Sequence, residues 1–232
     1  MKHSFLYAFA ALIFYSGCDK KQEEKLVENL LVNDQVRSRI DSTLSSFVES
    51  GNIAGVSALI FEKDTEVYYN AFGYADLENG VKMDRNTIVQ IYSMTKPITG
   101  TALMTLYEEG KFQLDDPLSK YAPEFADMKV YDGVDENGKI KLVDADRPVT
   151  IRDITRHTAG FPNRADIPGL SEILEDKDPR SFEIDLTEMA KRIGEIPLWF
   201  QPGTQWEYGQ SVDVQAFLVE RISGVPCTRA CA

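Results

Sequence analysis

Only three cysteines and two histidines occur among 232 residues, and they are not grouped. Cys18 lies near the N-terminus, Cys227 and Cys231 at the other end, and the histidines are His3 and His157. No Cys/His cluster has zinc spacing, so no metal site is expected, and nothing calls for another cofactor. Positive charge is scarce too: 25 Lys and Arg against 37 Asp and Glu leave a net charge of −12. Non-specific nucleic-acid binding needs cations that displace phosphate counterions, so nucleic acid is not an expected partner. The acidic balance gives a soluble, self-repelling surface and identifies no partner by itself. Internal repeats and low-complexity stretches are absent. What is present, 43% hydrophobic and 10% aromatic residues, suffices for one core of ordinary size.

The N-terminus reads as a targeting signal. Lys2 supplies a positive start, and Phe5 to Tyr15 form an apolar run too short to span a bilayer comfortably. Ser16-Gly17-Cys18 and the charged stretch from Asp19 to Lys25 follow at once. This order resembles a bacterial lipoprotein cleavage site, although Tyr15 stands where an aliphatic residue is usual. The resemblance implies a signal peptide over 1–17 and a lipid-modified Cys18. Residues 18–33 would then be a tether, and the protein would be exported and held to the membrane through its lipid. An ordinary secreted protein and an uncleaved anchor are the alternatives. Cys227 and Cys231 could form a disulfide in an exported protein, or belong to an accidental tail.

Beyond the tether, Asp34 caps a predicted helix in which Val36, Ile40, Leu44, Phe47 and Val48 recur at helical spacing. Val56 to Phe61 and Glu66 to Tyr74 are β-rich, and Lys63-Asp64 turns between them; this hairpin should pack on the helix. Ile88 to Ile91 reads as a short extended piece, and 98–109 as a buried helix with Ile98, Ala102, Leu103, Leu106 and Tyr107 on its apolar side. Short strands at Val130-Tyr131 and Ile140 to Val143, a helix from Ile151 to Arg156 capped by Thr150, and a mobile polar loop over 163–182 follow. Helices are predicted from Leu186 to Ile193 and from Ser211 to Arg221, with irregular chain from Pro197 to Gln210 between them.

Ser93-Met94-Thr95-Lys96 has the form Ser-x-x-Lys. At the start of a helix, the i,i+3 spacing puts the hydroxyl and the amine on one face, one turn apart. A serine hydroxyl is a weak nucleophile until a base takes its proton, and a lysine serves when its surroundings favour the neutral amine. The helix N-terminus adds free N–H groups for an oxyanion. Alone the pattern is weak, because on the order of one such match is expected by chance in a chain this long. The residues by themselves leave two readings open: a catalytic pair, or a capping serine beside a snorkelling lysine.

The surrounding residues separate these readings. Ile91-Tyr92-Ser93-Met94-Thr95-Lys96-Pro97-Ile98-Thr99 closely resembles the nucleophile region of the class C β-lactamase superfamily, which includes esterases, D-amino-acid peptidases and DD-peptidases. In the same order, Leu114 to Phe125, Thr150 to Phe161 and Pro202-Gly203-Thr204 with Tyr208-Gly209-Gln210-Ser211 resemble later segments of that family. The likeness spans 34 to about 225, read as one hydrolase domain. It implies an α/β (α+β) fold of the β-lactamase/transpeptidase type, with an antiparallel sheet flanked by helices and a helical subdomain.

It further implies an acyl-enzyme with Ser93 as nucleophile, Lys96 and Tyr208 exchanging its proton, and Gln210 contacting substrate where relatives carry asparagine. The substrate would be a small molecule or peptide bearing an ester, β-lactam or D-amino-acid peptide bond. His157 matches a structural position at a helix end, and Trp199 and Trp206 either pack or line the acyl pocket. Family members continue well past Tyr208 into further strands, one with a Lys-Thr-Gly or His-x-Gly motif, whereas only 24 residues follow here. Residues 226–232 do not continue the likeness. The expectation is a C-terminally truncated domain without its last sheet strands and with doubtful activity. A non-catalytic cell-wall or peptide-binding relative, or an inactive product, is the alternative.

Overall fold

The computed structural model describes residues 31–163 and 166–227. The signal, Cys18, most of the tether, Cys231 and its pairing, and the end of the tail lie outside the described residues. The chain divides into two compact units, the boundary in sequence falling between Gln90 and Ile91.

In the first unit, helix α1 (Asp34–Glu49) is capped one residue earlier than expected. The Asn33 side chain accepts a hydrogen bond from the Val36 N–H at 3.0 Å, so Asp34 opens the first turn instead. Strands β1 (Gly55–Glu62) and β2 (Thr65–Asp76) pair antiparallel, and the short β3 (Val81–Lys82) completes a sheet of order β1-β2-β3. The hairpin meets α1 as predicted: Tyr68 Oη and Asn70 Nδ2 both donate to Asp41, at 2.6 and 2.9 Å. That contact holds the Asp41 carboxyl below its ordinary range, through Tyr68 first. Val36, Ile40 and Leu44 line an open groove on the helix. Ile88 to Ile91 forms no strand, and Ile88 is 98% exposed. Its β-branched residues find no partner strand among the described residues, and an unpaired segment is not a strand whatever its propensity.

The second unit starts with a 3₁₀ turn, Tyr92–Met94, that runs directly into α2 (Thr95–Glu108). Pro97 falls in the first turn, where a missing N–H costs nothing. Leu103 and Leu106 are buried on the core face, but Ile98, expected there, is exposed. Two short 3₁₀ turns follow, then the antiparallel pair β4 (Lys129–Val134) and β5 (Ile140–Asp144). Helix α3 (Ile151–Thr155) carries a full capping box between Thr150 and Asp153. The segment read as a mobile loop holds a helix, α4 (Leu170–Lys177), and this corrects the prediction. Leu170 and Leu174 recur one turn apart and are buried with Ile167 and Ile196. Ser171 and Glu172 between them, and Glu175 and Asp176 after them, mask that stripe.

Helices α5 (Leu186–Gly194) and α6 (Ser211–Ser223) match prediction closely. Helix α6 packs against α2, α3 and α5 through Val214, Phe217, Leu218 and Val219, all buried in the main core with Leu103, Leu118, Ile151 and Ile154. Gln215 ties α6 to α3 by donating to the Ile154 carbonyl at 2.9 Å. Cys227 packs partly against the same core.

Candidate active site

Ser93 stands where the 3₁₀ turn passes into α2, directly after a backbone outlier. Tyr92 has φ +48°, a left-handed conformation that is costly for a bulky residue. Such strain persists only where the surroundings enforce it, and it concentrates at functional positions. The expected helical spacing holds: Lys96 Nζ lies one turn on and donates to Ser93 Oγ at 3.2 Å. Lys96 is half-buried and Ser93 is exposed, so the hydroxyl is accessible while the amine is partly shielded.

Tyr208 comes from the irregular stretch before α6, 115 residues along the chain from Ser93. Its Oη lies 3.0 Å from Ser93 Oγ, and Lys96 Nζ sits 4.8 Å from the centre of its ring. Hydrogen bonding from Lys96, then from Ser93, holds the phenol below its usual pKa.

Main-chain bonds fix that stretch to the end of α3. The Gly203 N–H donates to the Thr158 carbonyl at 2.8 Å, and the Glu207 N–H to the His157 carbonyl at 3.0 Å. The Trp199 N–H donates to the Gly160 carbonyl at 2.8 Å, and Gly160 must be glycine: at φ +93° a Cβ would lie 2.6 Å from the Phe200 carbonyl oxygen. Asn163 Nδ2 donates to the Tyr208 carbonyl at 2.9 Å, and Arg180 in turn donates to Asn163 Oδ1 at 3.2 Å. Beneath this lies a buried carboxylate. Asp153 accepts from Arg147 at 2.6 and 2.9 Å, from the Thr150 N–H and hydroxyl at 2.9 and 2.7 Å, and from Thr158 Oγ1 at 3.1 Å.

Two further groups belong to the site. The His157 ring stacks on Tyr208 at 5.3 Å between centroids and 18° between planes. Its backbone is left-handed, φ +58°, and burial, then the Lys96 charge, pushes its imidazole below the usual pKa. Asp213, in the first turn of α6, keeps an exposed edge, yet the protein packed around it pushes its carboxyl above the usual range, against the pull of Lys96. The position of His157 after a short helix signalled a helix end and nothing of the stack; nothing in the sequence marked Asp213. The tryptophans divide. Trp206 lies 6.0 Å from His157 and 6.3 Å from Tyr208 and is exposed, while Trp199 packs with the Ile167–Leu170–Leu174 cluster. Gln210, at the cap position of α6, is only 3% exposed, and both its amide atoms are buried without a hydrogen-bond partner among the described residues.

A serine between a lysine amine and a phenol at hydrogen-bond distance can exchange its proton with either, which is the requirement for acyl transfer to the hydroxyl. The chain belongs to the Beta-lactamase family, whose sequence pattern matches residues 40–232. It is 31% identical over 186 residues to an uncharacterized protein of Mycobacterium tuberculosis, covering 80% of this chain and 45% of that one. It is 29% identical over 199 residues to Esterase EstB of Burkholderia gladioli, covering 83% of this chain and 47% of that protein. Among solved structures it resembles EstCE1, described as a hydrolase with promiscuous acyltransferase activity, with TM-score 0.68, 25% identity, and coverage of 84% of this chain and 49% of that one. It also resembles unliganded Simvastatin Synthase (LovD) from Aspergillus terreus in fold, with TM-score 0.69, 24% identity, and coverage of 84% and 50%. The chain therefore has the β-lactamase/transpeptidase fold class expected from its motifs, and it spans about half the length of the relatives it matches.

Proposed function

We propose that this chain is the Ser93-bearing part of a serine hydrolase that works through an acyl-enzyme. The observation that carries the proposal is the approach of Ser93 Oγ to Tyr208 Oη, 3.0 Å, and to Lys96 Nζ, 3.2 Å. In the acylation step the Tyr208 phenolate, stabilised by the Lys96 ammonium, takes the Ser93 proton as Oγ bonds to the substrate carbonyl carbon. Collapse of the tetrahedral adduct breaks the bond to the leaving group, which leaves with that proton. Water then attacks the acyl-serine by the reverse transfers and returns the proton to Ser93. The lowered phenol pKa supports this assignment, because it increases the phenolate fraction near neutral pH.

Gln210 is assigned to substrate binding by its place in the Tyr208-Gly209-Gln210-Ser211 segment, and since its amide is buried, contact with a ligand requires the side chain to turn outward. The bond cleaved is an ester, a β-lactam or a D-amino-acid peptide bond, and the ester is favoured by the likeness to Esterase EstB. No metal or cofactor is needed for these steps. The N-terminal lipobox-like sequence supports export and anchoring through Cys18.

The test is covalent labelling with a serine-directed fluorophosphonate, read by intact mass and peptide mapping. One adduct on Ser93, absent from Ser93→Ala, is expected. Folded protein that never acquires an adduct would instead indicate a relative that binds cell-wall or peptide ligands without turnover.

A further inference from the structure

We propose that neutral His157 is the positioning residue for Tyr208: its imidazole, protonated on Nε2, forms the face on which the phenol rests beside Ser93, and protonation of the second nitrogen disables the site. This rests on the acyl-transfer reading for its kinetic consequences, but the state of the ring can be measured without any activity.

Four observations carry it. The rings are close to parallel, 18° apart with centroids at 5.3 Å, so the imidazole lies against the phenol whose hydroxyl meets Ser93 Oγ at 3.0 Å. Trp206 closes the cluster at 6.0 and 6.3 Å from the other two rings. The backbone holds the imidazole firmly: His157 sits in the left-handed region, and its carbonyl accepts from the Glu207 N–H in the residue just before Tyr208. Finally, His157 Nδ1 is buried with no hydrogen-bond partner among the described residues. A proton on that nitrogen would be a desolvated donor aimed at no acceptor, which is costly, whereas an unmet lone pair is tolerated more easily. The neutral Nε2–H tautomer is therefore the one that fits.

The charged groups around the ring act in opposite directions. Lys96 on α2 opposes a cation on His157, and Asp213 on α6 favours one. Glu207 contributes its backbone N–H, and Tyr208 presents its ring face. Burial and Lys96 prevail over Asp213, which keeps the imidazole neutral down to pH values below its usual range. Below that point a second cation would stand beside Lys96, where the phenol and amine exchange the serine proton.

Two measurements test this. Long-range ¹H–¹⁵N correlation spectra of the chain, with His3→Gln to remove the other histidine, should show His157 as the Nε2–H tautomer at pH 8 and titrating below 6.5. An Nδ1–H tautomer, or a titration at or above 6.5, overturns the proposal. The second is the pH dependence of fluorophosphonate labelling. His157→Asn tolerates the left-handed backbone but removes the ring, and should label about tenfold or more slowly even at pH 8. His157→Phe keeps a stacked ring that cannot titrate; it should label within about threefold of wild type at pH 8 and decline less steeply than wild type on the acid side, where only protonation of the Tyr208 phenolate remains. Equal wild-type and His157→Asn rates at pH 8, with both folded by circular dichroism, overturn the positioning role. An unchanged acid decline in His157→Phe overturns the protonation effect. If wild type shows no adduct at any pH, the acyl-transfer reading fails, and the tautomer and titration still decide whether a neutral imidazole underlies Tyr208.

Discussion

Asp153→Ala should destabilise the second unit more than any change to the proposed trio of Ser93, Lys96 and Tyr208. The carboxylate is 4% exposed and accepts five hydrogen bonds: two from Arg147, two from Thr150 and one from Thr158. Removing one side of a buried ion pair costs about 3–5 kcal/mol. Here the stranded partner, Arg147, has a side chain 41% exposed and can be rehydrated, so the lower end, about 3 kcal/mol, applies. For a domain of this size that is a fall in Tm of about 6–12 °C. Both tryptophans lie in the second unit, so urea unfolding followed by their fluorescence reports on it directly. Asp153→Asn keeps the shape and one acceptor for the Thr150 cap, and should lose roughly half as much.

The pH dependence carries a sign. Burial pushes the Asp153 carboxyl up, but the hydrogen bonds from Arg147 and Thr150 prevail and leave it below the ordinary value of 3.8. A depressed carboxyl contributes stability above its unfolded pKa and loses it as pH falls through the folded value. The gap between wild type and Asp153→Ala should therefore be full at pH 6 and shrink below about pH 4. A cost under about 1 kcal/mol at pH 7, or a gap that does not close in acid, would refute the idea that this carboxylate anchors the segment before Tyr208.

Other expectations are more direct. Tyr208→Phe removes only the hydroxyl and should slow labelling of Ser93 on the order of 10²-fold without changing the unfolding curve, and Lys96→Ala should act at least as strongly. Asp213→Asn should raise stability at pH 7 and not at pH 3: a raised folded pKa costs stability as pH climbs from the ordinary 3.8 through the folded value, and the amide removes that cost. Metabolic palmitate labelling in cells should occur on Cys18 and vanish in Cys18→Ser; release of unlipidated wild-type protein into the medium would refute anchoring.

The elements with a clear period were legible from sequence. The β1–β2 hairpin and α5 were found to within a few residues, because alternation and a helical apolar stripe each leave a local mark. Helix α4 was not, because its apolar stripe of Leu170, Ile173 and Leu174 is set among acidic residues that read as loop. Ile88 to Ile91 failed in the opposite way: propensity favoured a strand, but strands exist only by pairing. The Ser93–Lys96 geometry follows from helical spacing alone. Tyr208 was reachable only through family likeness, and the relation of His157 and Asp213 to it is purely tertiary, leaving no spacing rule to find it.

That tertiary relation has an apolar cause. Ser93 precedes α2 and Tyr208 precedes α6, so the two hydroxyls stand at the N-terminal ends of two helices that pack on each other. Leu103 and Leu106 on one side, and Val214, Phe217 and Leu218 on the other, share one buried core. Each buried side chain of this kind contributes about 1.5–3 kcal/mol, whereas the exposed contacts of Ser93 and Tyr208 contribute far less to folding. The 3.0 Å approach of the two hydroxyls is thus set by the seating of α2 on α6, and the polar trio is free to be chosen for chemistry. A cavity such as that left by Leu103→Ala should therefore disturb Ser93 reactivity even though it touches none of the reacting groups, since interiors this close-packed transmit displacement to the helix ends they carry.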